Sequence, residues 1–215
     1  MVFHTIRIAP PIQKIYQRLG YRRDITCITP QQEQQIDRHI NEALALIHLQ
    51  GAMIRLPICA RGDGFVMLGE DLRLDSTNLA TFLRNCDEVL VLGATAGEAV
   101  MAAIRGDMAT DAVTRAVIFD ATASEMADGA LDWLMDYTRR DLIREGKMLL
   151  NQRYSAGYGD LALTNQQLFY MILNMKEIGV QITPEFLLIP EKSVTAVTGI
   201  RKDRITAEPE MQENP

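Results

Sequence analysis

The segment Arg153-Tyr-Ser-Ala-Gly-Tyr-Gly-Asp160 combines residue types that could bind a small zwitterionic ligand. The guanidinium of Arg153 is a planar fork that can hold a carboxylate through two hydrogen bonds. Gly157 and Gly159 allow the main chain to approach a ligand closely, and Tyr158 offers a flat apolar face with a polar tip. An amino-acid carboxylate with an attached aromatic base would suit this set. The same residues are also compatible with an ordered surface loop.

The run Gly93-Ala-Thr-Ala-Gly97 is a second candidate for ligand binding. It follows the apolar stretch 88–92 and precedes a predicted helix, so its main-chain N–H groups could surround an anion. The first loop of a Rossmann-type methyltransferase is similar, but this chain lacks the G-x-G-x-x-G pattern and the acidic residue about 20 positions later. Two interpretations remain open, a tight strand–helix turn and a Rossmann-type methyltransferase.

Three aspartates recur at intervals of four residues on the longest predicted helix. They are Asp128, Asp132 and Asp136, and Arg140 follows at the same interval. The simplest interpretation is a solvated face with an Asp136–Arg140 ion pair. The functional interpretation is that one of these carboxylates is directed at a cationic group of a ligand.

The composition excludes several classes of protein. The chain has 215 residues and a net charge of −6, and no basic face suited to nucleic acid is evident. It has no apolar stretch of about 18 residues and no signal-peptide pattern, so we expect a cytoplasmic protein without a membrane span. The three cysteines are widely spaced, which argues against a disulfide framework: Cys27, Cys59 and Cys86. The three histidines lack metal-ligand spacing, and no metal site is predicted: His4, His39 and His48.

The helices that would position these residues show clear start signals. The longest predicted helix spans residues 111–145. A helix over 30–50 begins with a capping-box pattern formed by Thr29 and Gln32. Thr164 begins a later helix with the same pattern.

Predicted strands are distributed along the chain without a regular β-α-β alternation. They lie at 65–68, 88–92, 147–151 and 192–200. Because long helices dominate the middle of the chain and strands flank them, the sequence favours an α+β fold over a doubly wound parallel sheet.

Three ordered blocks in the C-terminal half form a more specific pattern. They are Arg153-Tyr-Ser-Ala-Gly-Tyr158, then, after a capped helix, Ile178-Gly-Val-Gln-Ile-Thr183, and finally Leu188-Ile-Pro-Glu-Lys-Ser-Val-Thr-Ala-Val197. This arrangement resembles the C-terminal activation (reactivation) module of cobalamin-dependent methionine synthases. That family carries Arg-x-x-x-Gly-Tyr, a helix, a Gly-x-x-Leu/Ile-Thr step and a Ser-Val strand in this order. The resemblance covers about residues 111–200 well and the N-terminal half only in broad pattern.

The resemblance implies an α+β module with long helices and a mainly antiparallel sheet that binds S-adenosylmethionine. In this family the cobalamin cofactor occasionally oxidises to inactive cob(II)alamin. One-electron reduction, coupled to methyl transfer from S-adenosylmethionine, restores it while the module docks over the corrinoid-binding domain. The sulfonium methyl is already activated, so the module mainly orients the donor and excludes water. No catalytic side chain is therefore expected in this chain.

The resemblance also assigns roles to individual residues. Arg153 matches the family arginine that holds the ligand carboxylate, and Gly157 and Tyr158 match the glycine and tyrosine of the motif. Ala156 is expected to line the ligand. Asp136, on the long helix, is expected to contact the ligand's amino group.

Three features depart from the family pattern. The family has a strand with a tyrosine beyond the Ser-Val strand, whereas charged residues follow Ile200 in this chain. The family continues after the glycine–tyrosine pair with Pro-x-Cys-Pro and a histidine, whereas this chain continues with Gly159-Asp-Leu-Ala-Leu163. The corrinoid-binding pattern Asp-x-His-x-x-Gly is also missing from the chain, so cobalamin would have to reside on a partner protein.

These observations lead to the following expectations. Residues 1–203 form a single activation-domain-like module, and residues 204–215 form a disordered tail. The module stands alone, binds S-adenosylmethionine and docks on a corrinoid-binding methionine synthase or a related corrinoid protein, with a flavodoxin-type electron donor as a further partner. The alternative is a docking or assembly module for a corrinoid methyltransferase that no longer binds S-adenosylmethionine.

Overall fold

The computed structural model of the protein describes residues 1–22 and 25–203. The tail at 204–215, for which the sequence predicts disorder, lies outside the described residues. Within the described ranges, no helix is both long and apolar enough to cross a membrane. The same ranges contain no group of three or more side chains arranged as a metal site.

Six α-helices and nine strands make up the described part of the chain, together with a 3-10 turn at Met175–Ile178. The helices are α1 (Ile12–Arg18), α2 (Pro30–Leu46), α3 (Thr77–Phe82), α4 (Glu98–Ala109), α5 (Val113–Arg144) and α6 (Asn165–Ile172). The strands are β1 (Val2–Phe3), β2 (Gln50–Gly62), β3 (Phe65–Leu68), β4 (Leu72–Asp75), β5 (Glu88–Thr95), β6 (Lys147–Leu149), β7 (Gln181–Ile182), β8 (Leu188–Ile189) and β9 (Ser193–Lys202).

The main sheet has seven strands, and its neighbouring strands are antiparallel throughout the described residues. Six strands follow the order β4-β3-β2-β5-β9-β6, and β1 pairs with the start of β2. Strands β7 and β8 form a separate antiparallel pair. The α+β prediction is therefore confirmed. The Rossmann-type alternative is wrong, because β5 would have to lie at the centre of a parallel sheet and instead runs antiparallel to both β2 and β9.

Helices cover both faces of the sheet, and the central strand β5 is buried between them. Leu90 and Leu92 point to the core formed with α4 and α5. Val89 and Val91 point to the opposite core, which includes α3, α6 and the 3-10 turn. This alternation explains why the sequence of β5 is a continuous apolar run rather than a pattern of period two.

The two longest helices match their predicted positions. The capping box of α2 is confirmed, because the Thr29 hydroxyl accepts from the Gln32 N–H at 3.3 Å and the Gln32 side chain accepts from the Thr29 N–H at 2.9 Å. Helix α2 ends at Leu46, before the predicted residue 50, because Gln50 already pairs with β5. Helix α5 covers nearly all of the range predicted as 111–145.

The predicted cap at Thr164 is wrong. Thr164 has helical dihedral angles, φ −54° and ψ −27°, and its side chain makes no capping hydrogen bond. In a capping box, the Thr164 hydroxyl would accept from the N–H of Gln167. That N–H bonds instead to the main-chain carbonyl of Thr164 at 3.2 Å. A turn of main-chain hydrogen bonds therefore replaces the side-chain cap.

The glycine-containing run 93–97 belongs largely to β5 and does not form an anion-binding loop. The N–H of Ala96 bonds to the Lys192 carbonyl at 2.8 Å, and the N–H of Gly97 bonds to the Thr95 hydroxyl at 3.1 Å. Gly97 has a φ of 87° and directs the chain into α4. The interpretation as a tight strand–helix turn is correct for its last residues.

Candidate functional site

The loop that follows β6 is attached to the sheet at Tyr154. The Tyr154 N–H donates to the Val197 carbonyl, and the Tyr154 carbonyl accepts from the Val197 N–H, each at 2.8 Å. The chain then turns sharply at Gly157, whose φ is 85° and whose N–H bonds to the Leu161 carbonyl at 2.8 Å. This turn carries the residues that follow Arg153 away from the sheet edge.

A cleft of about 600 Å³ lies between this loop and α5. This volume is in the range of sites that bind small molecules. The lining residues come from α5, the loop, the start of α6 and the segment 186–195: Asp128, Leu131, Arg153, Tyr154, Ser155, Ala156, Tyr158, Leu163, Gln166, Phe186, Leu187, Leu188, Glu191, Ser193, Val194 and Thr195.

Arg153 is held in place by the long helix. Its Nη1 donates to Oδ1 of Asp132 at 2.6 Å, and about a quarter of its side chain is exposed. Asp132 also forms an ion pair with Lys14 of α1 at 3.4 Å. Because guanidinium has five N–H donors, this arrangement leaves donors for a second acceptor.

Asp128 lies one helical turn before Asp132 and lines the same cleft as Arg153. Burial raises the pKa of the Asp128 carboxyl above its ordinary value, while the positive charge of Arg153 acts in the opposite direction. Arg18 of α1 approaches it at 3.7 Å and bonds more closely to Glu125 at 2.6 Å. The cleft thus presents a guanidinium and a carboxylate from two different elements.

The predicted site residues fall into two groups. Arg153, Ala156 and Tyr158 line the cleft, and Gly157 forms the turn between them. Asp136 is not brought to the described cleft, and its Oδ1 accepts from Arg139 at 2.5 Å.

The geometry of α5 accounts for the position of Asp136. It lies eight residues beyond Asp128, which corresponds to about 12 Å along the helix and about 80° around it. The predicted ion pair of Asp136 also differs, because its partner is Arg139 at i+3 rather than Arg140. The assignment of Asp136 as a ligand contact stays a prediction from the resemblance.

Asp160 lies where the chain departs from the family pattern, and its side chain bonds to the start of α3. The Asp160 carboxylate accepts from the Ser76 hydroxyl and from the main-chain N–H groups of Thr77, at 2.7 Å, and Asn78, at 3.2 Å. The hydrogen bond from Ser76, together with those from these N–H groups, lowers the pKa of Asp160, although desolvation acts in the opposite direction. The end of the loop is therefore attached to the first turn of α3.

Sequence reasoning missed two buried polar residues of the cleft, Gln166 and Thr195. Gln166 accepts a hydrogen bond from the Thr195 hydroxyl at 3.1 Å. Both are almost fully buried, at 6% and 2% exposure. No sequence pattern could have paired them, because they come from separate elements and neither belongs to the motif at 153–160.

No protein-family model and no curated protein sequence matches the chain. Among solved structures, the chain is similar to the crystal structure of the MetH reactivation domain bound to AdoHcy. The two share 16% sequence identity with a TM-score of 0.63, over 88% of this chain and 72% of that chain. This similarity establishes the fold, a reactivation-domain-like arrangement of helices on an antiparallel sheet.

Proposed function

We propose that the chain binds S-adenosylmethionine in the cleft and serves as a stand-alone reactivation module for a corrinoid protein in methionine synthesis. The observation that carries this proposal is the meeting of Arg153 and Asp128 at one cleft. Further support comes from the similarity in fold to a domain whose crystal structure holds AdoHcy, the demethylated form of this donor.

The two charged groups suit the amino-acid end of such a ligand. The guanidinium of Arg153 can bind the carboxylate through donors that Asp132 does not use. The carboxylate of Asp128 can accept from the ammonium group. Because Asp128 lines the cleft and Asp136 does not, Asp128 is the better candidate for this contact. Ala156 and Tyr158 would then lie against the rest of the ligand.

The chain's role in the reaction is to position the methyl donor. Cobalamin, carried by the partner, would supply the methyl acceptor, and a flavodoxin-type protein would supply the electron. The methyl group leaves a sulfonium and a neutral thioether remains, so no side chain has to take up a proton. Orientation of the donor and exclusion of water are the contributions expected from the cleft.

Titration calorimetry with S-adenosylhomocysteine tests ligand binding. Removing one member of a charged hydrogen bond costs about 1.5–3 kcal/mol, so Arg153→Gln and Asp128→Asn should each weaken binding about 10–100-fold. Asp136→Asn is the matched control on the same helix and should bind like wild type. Absence of heat with wild type at about millimolar ligand, which corresponds to about −4 kcal/mol, would contradict the proposal.

A second candidate function is a docking or assembly module that does not use the donor. It is favoured by the engagement of Arg153 with Asp132 and of Asp132 with Lys14, which gives the cleft internal ion pairs. Co-purification with a corrinoid-binding methionine synthase, without heat from S-adenosylhomocysteine, would favour this function. Failure to associate with any corrinoid protein would count against both candidates.

We extend the proposal to the domain organisation, with residues 1–203 as one module. Its support is that β2, from the N-terminal half, and β9, from the C-terminal half, flank β5 in one sheet. We expect one cooperative thermal transition, with the same midpoint by far-ultraviolet circular dichroism and by Trp133 fluorescence. Two separate transitions would indicate two modules.

A further inference from the structure

Helix α1 directs two cations toward the long helix α5. Lys14 and Arg18 lie four residues apart and therefore share one side of α1. Ile15 is fully buried in a small apolar cluster with Ile40 of α2 and Ile118 of α5. This contact holds α1 against α5, although no residue described in α1 lines the cleft.

Three carboxylates of α5 meet these cations. Glu125, Asp128 and Asp132 follow one another at intervals of three and four residues, on one side of α5. The Nε of Arg18 donates to Oε1 of Glu125 at 2.6 Å, and its Nη2 lies 3.7 Å from Oδ2 of Asp128. The Nζ of Lys14 lies 3.4 Å from Oδ2 of Asp132. Of these carboxylates, Asp128 is the one that lines the cleft, so a fixed positive charge lies beside the anion that a ligand would meet.

The charges of this group cancel. Arg153 bonds to Oδ1 of Asp132 at 2.6 Å, so three ionised carboxylates are matched by three cations, which are Lys14, Arg18 and Arg153. Glu191, the other carboxylate in the lining of the cleft, is paired with Arg105 of α4 at 3.7 Å. The cleft can therefore offer a carboxylate to one ammonium group, but it provides little net negative potential for a second positive charge on the ligand.

Arg18 acts on Asp128 through its charge. Burial raises the pKa of the Asp128 carboxyl, and the positive charges of Arg153 and Arg18 lower it. Because Arg18 is held by its shorter bond to Glu125, its position does not depend on what Asp128 binds. A cation bound near Asp128 is therefore repelled by Arg18.

We propose that Arg18 and Lys14 set the preference of the cleft between a sulfonium donor and the neutral thioether that remains after methyl transfer. This inference rests on the proposed function and gives the N-terminal helix a part in ligand specificity. S-adenosylmethionine carries a sulfonium besides its ammonium and carboxylate, so it has one positive charge more than S-adenosylhomocysteine. The two cations of α1 repel that charge and lower the affinity for the donor relative to that for the product.

The ratio of the two affinities isolates this effect. Both ligands share the ammonium, the carboxylate and the nucleoside, so a change in the geometry or ionisation of Asp128 affects both and cancels in the ratio. The sulfonium charge distinguishes them. A purely structural role of α1 would change both affinities by the same factor and leave the ratio unchanged.

Titration calorimetry of both ligands on the full chain tests the proposal with two variants of opposite expected sign. Arg18→Gln removes a positive charge and should raise the ratio of donor affinity to product affinity about 3–10-fold. Glu125→Gln breaks the same ion pair from the other side and should lower the ratio. Arg18→Lys keeps the charge without the guanidinium and should retain the ratio of wild type.

Arg140→Gln is the matched control for the loss of one positive charge. Arg140 is exposed on α5, about 18 Å along the helix from Asp128, and its removal should leave the ratio unchanged. The effect of Arg18→Gln should also shrink between about 0.1 M and about 1 M salt, because the Debye length falls from about 10 Å to about 3 Å.

The outcomes separate this inference from the proposed function. A ratio that is the same in wild type, Arg18→Gln and Glu125→Gln, or that shifts in the same direction in both variants, would overturn the role of α1 and leave the proposed function intact. Heat from neither ligand with wild type would overturn both. If Arg18→Gln does not fold, Lys14→Gln replaces it, with a smaller rise expected because its partner Asp132 does not line the cleft.

Discussion

Asp128 is the residue on which the proposal of a ligand-binding cleft depends most. It shares the cleft with Arg153, and it also contacts Arg18 of α1 at 3.7 Å. The resemblance assigns the ligand's amino group to Asp136 on the same helix, and that assignment stays a prediction, because spacing alone cannot tell which of several aspartates faces a loop that is distant in the chain. Which aspartate lines the cleft beside Arg153 depends on how α5 is rotated against the sheet, and tertiary packing determines that rotation.

On the proposed function, the raised pKa of Asp128 should make ligand affinity dependent on pH. Burial disfavours the charged form, whereas a ligand ammonium group favours it, so binding below that pKa requires release of a proton. Affinity for S-adenosylhomocysteine should therefore rise about tenfold per pH unit up to the pKa of Asp128 and level off above it. Calorimetry between about pH 4 and pH 8 measures this dependence, because the ordinary pKa of an aspartate carboxyl lies near the lower limit.

The variant Asp128→Asn provides the comparison for this dependence. Its affinity should be lower and nearly constant over the same range, because the amide does not titrate. A wild-type affinity that does not change with pH would show that Asp128 does not meet the ligand's cationic group.

At the scale of elements, the turn from Gly157 to Leu161 depends on glycine. Gly159 has a φ of 55°, and a side-chain carbon there would collide with the Tyr154 hydroxyl and crowd Asn78. Gly159→Ala should therefore lower the free energy of unfolding by about 1–3 kcal/mol. Urea denaturation measures the change.

Gly106→Ala is the matched control for this glycine. Gly106 lies inside α4, and a side-chain carbon there would meet open space. Alanine should raise the free energy of unfolding by about 0.5–1 kcal/mol, since it restricts the unfolded chain and favours the helix. Equal effects at the two positions would contradict the steric argument for Gly159.

Local sequence patterns predict the positions of helices and strands better than the contacts between them. Thr29 with Gln32 identified the start of α2 because a capping box involves only neighbouring residues. The bond between Ser76 and Asp160 joins residues 84 positions apart, and no local pattern encodes it. The strand order of the sheet was likewise beyond the sequence, because apolar patterning specifies burial and not the neighbour.

For the molecule as a whole, a network of four charges connects distant parts of the sheet. Arg55 of β2 bonds to Glu145, at the end of α5, at 2.6 and 2.8 Å, and to Glu88 of β5 at 2.8 Å. Lys147 of β6 bonds to both carboxylates, at 2.9 Å and 2.6 Å. The hydrogen bonds from Arg55 and then Lys147 lower the pKa of Glu145 to about 2.

This network should contribute to stability at neutral pH and lose its effect in acid. A carboxyl whose pKa is lower in the folded state stabilises the fold above its ordinary pKa of 4.5, and that contribution disappears as pH falls toward about 2. Glu145→Gln should therefore reduce the free energy of unfolding more at about pH 7 than at about pH 3. Urea unfolding at both values measures this.

Glu70→Gln, at an exposed turn position, is the control for the network. It should change the free energy of unfolding little at either pH. A loss from Glu145→Gln that is the same at both values would mean that packing, and not the charge of Glu145, is responsible.

The attachment of Asp160 to α3 makes that short helix a reporter for the cleft. Its first amides, Thr77 and Asn78, donate to a carboxylate on the loop that begins at Arg153. A ligand that orders this loop must therefore slow deuterium uptake at those two amides, although they do not line the cleft. Because coupling is reciprocal, the factor by which the ligand stabilises this attachment is also the factor by which the attachment raises ligand affinity. A substitution in α3 that breaks the attachment should therefore lower ligand affinity by that factor. The helix thus allows occupancy to be followed without a label at the site.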